Sequence, residues 1–278
     1  MIYLLLAITC SALISICMRM SEKHIHNEMG MFMANYAVCI LLSFVYMNGK
    51  MVFPTEGLPV TVGLGIINGF LFLSGFLFLK LNMKHNGIVM ASTFMKLGVL
   101  IPTLMAIVVF GEMPQWTQII GIFIALAAIV IIHFEKDAIQ ETGKKLWLLI
   151  LLLVSGITDS MANIFDKVGN VEGQDAYLFI TFFVAFLLAL VYAVRGKTKI
   201  SAKDVLFGVI IGVPNYYSAR CLLLALGSVD AVLAYPTYSV ATIVVITVVG
   251  ILAFKEKVSA KKMLALGLIA AALVLLNV

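Results

Sequence analysis

The chain has 278 residues, of which 63% are hydrophobic and 12% charged, with a formal net charge of +5. A water-soluble domain carries about twice that share of charged residues, so the composition excludes a soluble globular protein, a disordered chain and an ordinary nucleic-acid binder. The positive charge sits in short polar breaks between apolar runs and reads as membrane orientation, with no nucleic acid as partner.

These breaks leave ten apolar runs, in chain order Ile2–Met18, Met29–Met47, Leu58–Leu79, Gly87–Phe110, Gln115–His133, Leu146–Phe165, Ala176–Val194, Asp204–Leu226, Ala231–Phe254 and Lys261–Asn277. One helix needs about 20 apolar residues to cross hydrocarbon. The runs are too long for strands and do not alternate. In lipid, backbone polar groups must also be satisfied within each segment, which favours helices. The first run lacks a basic flank before it and a small-residue cleavage site after it, so it is expected to be the first helix and not a signal peptide. Cys10, Cys17, Cys39 and Cys221 lie in apolar runs without metal-ligand spacing, so neither a metal site nor a disulfide is expected. His24, His26, His85 and His133 fall at run ends or in loops.

The pattern repeats at an offset of about 144 residues: the first run begins at Ile2 and the sixth at Leu146, the fourth ends in Phe110-Gly-Glu112 and the ninth in Phe254-Lys-Glu256. Five spans is an odd number, so the second copy enters the membrane from the opposite side. The expected fold is therefore an all-α integral membrane protein of ten transmembrane helices in two inverted five-helix repeats. These are residues 1–134 and 146–278, joined by a linker loop at 135–145, with a site near the midplane where the repeats meet.

Charge tests the topology. Of 19 Lys and Arg, Lys96 and Arg220 lie in the interior of spans, Lys261 and Lys262 at the first edge of the tenth run being counted with loop 9–10. Fifteen lie in loops 1–2, 3–4, 5–6, 7–8 and 9–10, and only Lys50 and Lys167 in the others. The positive-inside rule makes the fifteen-charge face cytoplasmic and puts both termini outside.

The stretch NGIVMASTFMKLGVLIPTLMAIVVFGEMPQWTQIIGIFIALAAIVII and its counterpart SVDAVLAYPTYSVATIVVITVVGILAFKEKVSAKKMLALGLIAAALVLL share an order of features. A small-residue entry leads into an apolar helix ending in Glu, followed by a short turn and a Gly/Ala-rich helix. In this the chain resembles the EamA-like branch of the drug/metabolite transporter superfamily, over essentially its whole length as two five-helix units. The resemblance implies a multi-pass transporter in the cell membrane, with both termini in the cytoplasm, opposite to the charge count.

Glu112 and Glu256 occupy matching helix ends, and their presence in both copies points to capping of the next helix's N-terminus, where a carboxylate is favoured. Gly121, Ala125, Ala127 and Ala128, with Ala265, Gly267, Ala270, Ala271 and Ala272, allow close helix approach. Packing within the bundle and a homodimer contact account for them equally well.

Charges inside the spans carry the functional reading. Lys96, Asp159 and Arg220 lie about 3, 5 and 7 Å from their span centres at 1.5 Å per residue. Such charges cost about 2.5–3.5 kcal/mol each on insertion scales, so each is expected to face the interior with a partner. Their counterparts in the repeat, Val240, Ser15 and Phe76, are uncharged, so the fold does not require them in both halves. A structural reading pairs Asp159 with Lys96 or Arg220. One cation is then left over, and a substrate carboxylate or phosphate would compensate it, with Arg220 offering a bidentate fork and Lys96 a point charge. At helical spacing Asp159 shares a face with Ser155 and Asn163, Arg220 with Tyr216 and Tyr217, and Lys96 with Ser92, Thr93 and Thr103. Tyr235, Thr237 and Tyr238 follow in the ninth span. The expected substrate-binding residues are Ser92, Lys96, Asp159, Asn163, Tyr216, Tyr217, Tyr235, Tyr238 and Arg220. Pro102, Pro214 and Pro236 lie inside spans and serve as hinges or static bends.

No Walker A, HExxH, GxSxG or GxGxxG pattern is present, so no cofactor, metal or catalytic residue is expected, and Asp159 with Asp166 lacks the GxGD surroundings of an intramembrane protease. The leading expectation is a secondary-active, alternating-access transporter of a small polar metabolite with an anionic group, such as an amino acid, an organic acid or a phosphorylated small molecule. A proton or counter-substrate would be its coupled partner. The alternatives are an exporter of amphipathic or cationic compounds, with Asp159 as main contact, and a lipid-headgroup or polyprenyl-phosphate flippase.

Overall fold

The structure, a computed structural model, describes residues 1–21, 24–47, 57–86, 91, 94–95, 97–133, 145–196, 199–254 and 260–276. Among them are ten α-helices: α1 Ile2–Ser21, α2 Glu28–Tyr46, α3 Leu58–Asn86, α4 Leu100–Val108, α5 Trp116–His133, α6 Lys145–Val168, α7 Gln174–Arg195, α8 Ala202–Leu226, α9 Ala231–Phe254 and α10 Ala260–Leu276. Seven of these, α1 to α3 and α6 to α9, are long and apolar enough to cross a membrane by length and composition; α5 and α10 are apolar but shorter. No strand occurs among the described residues.

The chain forms two compact units, Met1–Leu73 with Ile164–Ala225 and Ser74–Asn163 with Leu226–Val278. Each takes helices from both halves of the sequence. The division falls inside α3 and inside α6.

In the first unit α2 packs along α7, with Tyr36 against Phe182 (centroids 6.4 Å apart). Its α8 also presses onto α2 where side chains are absent: a Cβ on Gly208 would stand 2.4 Å from the Met31 carbonyl oxygen. Helix starts here are fixed by local polar chemistry. Asn27 precedes α2 in extended conformation, and its side chain accepts the Gly30 N–H at 3.0 Å. Ser201 and Asp204 form a reciprocal capping box on α8: the Ser201 N–H donates to Asp204 Oδ2 at 2.7 Å and the Asp204 N–H to Ser201 Oγ at 3.2 Å. Asp204 Oδ1 also accepts the His26 N–H at 2.8 Å.

In the second unit α5 packs along α10. Gly121, Ala125 and Ala128 are buried, as are Ala265, Ala272 and Leu276, while Ala127, Gly267, Ala270 and Ala271 are exposed. The buried positions recur at three- and four-residue spacing, at Gly121, Ala125 and Ala128 on α5 and at Ala265, Ile269, Ala272 and Leu276 on α10, so this ridge serves packing within the unit.

The fourth span is interrupted, and α4 begins only at Leu100. Pro102 has no N–H for the Gly98 carbonyl; Ile101 donates to it instead at 2.9 Å in a tighter turn. Pro102 thus sits in the first turn of α4, whereas Pro214 and Pro236 lie inside α8 and α9. Downstream, α4 closes on Gly111 at φ 68°, a left-handed position that favours glycine, and the Glu112 N–H reaches back to the Ala106 carbonyl at 3.0 Å.

That closure aims Glu112 at a helix start, though not the expected one. Its Oε2 accepts the Val232 N–H of α9 at 2.8 Å, so the carboxylate caps a helix in the other sequence half, whereas the sequence points to α5, the next in the chain. Its counterpart Glu256 lies outside the described residues. Replacing Glu112 with Ala is expected to cost about 1 kcal/mol through the lost cap and helix-end charge, read as a lower melting temperature of the purified protein; Glu112→Gln, which keeps an acceptor, should lose less.

Candidate functional site

Arg220 lies six residues before the end of α8, about 9 Å from it at the helical rise. Its guanidinium forms an ion pair with Asp175 through Nη1, and the same nitrogen donates to the Tyr216 hydroxyl at 3.2 Å. The plane of charge lies over the Tyr46 ring, with Cζ 3.9 Å from the ring centroid, a cation–π arrangement that gains strength when desolvated. Tyr46 stacks on Tyr216 (5.7 Å) and meets Tyr217 edge-on (6.3 Å), and the Tyr46 and Tyr217 hydroxyls stand 3.3 Å apart. The Arg220 and Asp175 side chains remain 19% and 27% exposed, so the pair is partly sheltered and not sealed.

This corrects the expected pairing of Arg220 with Asp159. Asp175 occupies the first turn of α7, one residue before the seventh apolar run, and a search for charges inside runs passes over it. Tyr46, the last residue of α2, lies inside the second run but carries no charge, so the same search passes over it. Arg220 is therefore compensated by a protein carboxylate, and the left-over cation of the sequence argument is not this one.

The remaining expected residues divide by unit. Arg220, Tyr216 and Tyr217 come together in the first. Asp159, Asn163, Tyr235 and Tyr238 fall in the second, and Lys96 and Ser92 lie outside the described residues. Asp159 is exposed, and its backbone carbonyl accepts the buried Tyr235 hydroxyl at 2.6 Å, tying α9 to α6. The Ser155 hydroxyl is taken up by backbone, reaching the Met95 carbonyl at 3.3 Å and the Leu152 carbonyl at 3.1 Å.

Asn163 differs from these. It is 0% exposed, yet neither Nδ2 nor Oδ1 has a hydrogen-bond partner among the described residues. A buried amide without partners costs about 1–3 kcal/mol, and an apolar residue of similar shape removes that cost. Asn163→Leu is therefore expected to hold or raise the melting temperature of the purified protein; a fall would mean that the amide binds the helices together.

Among the described residues no group of three His, Cys, Asp or Glu could hold a metal ion, and Cys10, Cys17, Cys39 and Cys221 are all free.

The long apolar helices define a multi-pass membrane protein. Residues 1–134 match the EamA-like transporter family, and residues 176–269 match the Small Multidrug Resistance protein family. The chain is 25% identical over 271 residues to an uncharacterized protein of Haemophilus influenzae, covering 92% of this chain and 90% of that one. It is 50% identical over 56 residues to the uncharacterized membrane protein YvaE of Bacillus subtilis, covering 20% of this chain and 47% of YvaE. A protein of known crystal structure superposes with a TM-score of 0.75 at 15% identity, covering 99% of this chain and 94% of its own, and so shares the fold. The matches in the two halves of the chain fit the drug/metabolite transporter superfamily and point to a membrane transporter or exporter.

Proposed function

We propose that the protein is a secondary-active transporter of the cell membrane that carries a small polar metabolite with an anionic group, by alternating access of two inverted five-helix repeats. The observation that supports this most is the Arg220 site: a guanidinium about two helical turns inside α8, with its face on Tyr46, its Nη1 on Tyr216 and its charge met by a carboxylate that an incoming anion can replace. Arginine suits this task because its fork can engage a carboxylate or phosphate through two parallel bonds. The inverted repeat is supported by the pairing of equivalent helices, α2 with α7 and α5 with α10. Counterflow in proteoliposomes tests the reading: labelled glutamate, succinate or inorganic phosphate should exchange, and excess unlabelled anion should compete.

A second reading, export of cationic or amphipathic compounds, draws on the Small Multidrug Resistance match over residues 176–269. It also draws on the three tyrosines around Asp175's partner, since aromatic faces attract cations. Here a substrate cation would take Asp175 in place of Arg220. Competition separates the two, because cationic competitors would then outperform anionic ones.

A further inference from the structure

We infer that Asp175 is the internal counter-ion of the transport cycle, holding the Arg220 anion site while substrate is absent and giving it up when substrate binds. This rests on the anion-transport reading above and assigns a positioning role to a residue outside the expected site.

Three observations lead to it. First, Asp175 and Arg220 come from different helices, α7 and α8, and lie 45 residues apart in sequence, so their pair can form and break with a small helix movement. Second, neither side chain is sealed, at 27% and 19% exposure, so an anion can reach the guanidinium without dismantling a packed core. Third, the other supports of Arg220 are neutral: the Tyr46 ring and the Tyr216 hydroxyl. They can hold the guanidinium in place whichever anion it carries. Asp175 is thus the part of the arrangement that competes with an anionic substrate, and two anions on one half-buried cation would repel each other in a low-dielectric site.

The exchange has a consequence for the cycle. An empty carrier returns across the membrane with Arg220 neutralised by Asp175, and a loaded carrier with Arg220 neutralised by substrate. A naked guanidinium moving through a low-dielectric interior is avoided in both directions. Removing the Asp175 charge should therefore tighten substrate binding while slowing the empty return.

The test uses the full-length protein in proteoliposomes with glutamate, succinate and inorganic phosphate as probes. In Asp175→Asn the KM of each anion that the parent protein transports should fall about tenfold. Net uptake should fall at least fivefold more than exchange, because exchange does not require the empty return. Asp175→Glu, which keeps the charge, should restore the parental ratio of net uptake to exchange. An unchanged or raised KM, or net uptake and exchange falling together, overturns the inference. If Asp175→Asn does not fold, Asp175→Ser replaces it; failure of both to reach the membrane makes the carboxylate structural and also overturns it. Failure of the underlying reading is visible separately: Arg220→Gln would then leave anion transport intact, or the parent protein would transport none of the three anions.

Discussion

Arg220→Gln is expected to reduce transport of anionic substrate at least thirtyfold. A hydrogen bond to a charged group is worth about 1.5–3 kcal/mol, and a substrate engaged by both arms of the guanidinium loses more than one such bond. Glutamine keeps a donor and much of the length but no charge, so it cannot replace the fork. The same change strands Asp175, a half-buried carboxylate whose ion-pair partner is Arg220, and so lowers stability as well. The double variant Arg220→Gln/Asp175→Asn separates the two effects. It removes both charges together and should recover most of the lost melting temperature, because breaking a sheltered pair costs more than replacing it. It should not recover transport. Melting curves of the purified variants, set beside counterflow in the same preparations, give both measurements; recovery of transport in the double variant would show that Arg220 acts only by balancing Asp175.

Asp204→Ala should be the most destabilising single change at a helix end, by about 3 kcal/mol. Asp204 is 0% exposed. Its two oxygens accept backbone N–H groups from Ser201 at 2.7 Å and His26 at 2.8 Å, and the Asn27 N–H adds a third. The first caps α8, where loss of a cap alone costs about 1 kcal/mol. The others hold the α1–α2 turn, 178 residues away in sequence, onto the start of α8. Alanine leaves these sheltered donors without acceptors, at about 1–3 kcal/mol each before relaxation. Asp204→Asn keeps one acceptor oxygen but turns an NH₂ toward a backbone donor, so it should lose about half as much. Thermal denaturation in detergent, with transport measured in parallel, checks both variants. A fall below 1 kcal/mol in Asp204→Ala would mean that water takes over the donors.

Much of the architecture is legible in the order of residues alone. Hydrocarbon thickness imposes a length on each apolar segment, and Gly, Pro and charged residues interrupt such segments at visible places. The ten runs accordingly correspond closely to the helices, and the main exception has a local cause, since Pro102 and the turn at Gly98 divide the fourth run. The Phe-Gly-Glu end of that run also carries its meaning locally: the glycine closes the helix and places the next side chain beyond it. The cap over α8 joins Ser201 and Asp204, three residues apart, but hydropathy marks Asp204 only as the edge of the eighth run.

The partner of each polar group is another matter. Arg220 stands out in the sequence as an intramembrane charge, but Asp175 is 45 residues away and just outside an apolar run, so hydropathy does not single it out. Glu112 shows itself as a capping residue, yet the N–H it caps, that of Val232, lies 120 residues further on. The small residues of α5 and α10 announce a close contact without naming its partner, and only their buried faces in the folded unit show that the contact lies within the chain. Span, cap and turn depend on interactions between near neighbours and on the thickness of the bilayer, which the sequence by itself determines. Ion pairs and helix contacts depend on which helices the packed chain brings side by side, and for this protein only the tertiary structure decided that Arg220 faces Asp175 and Tyr46.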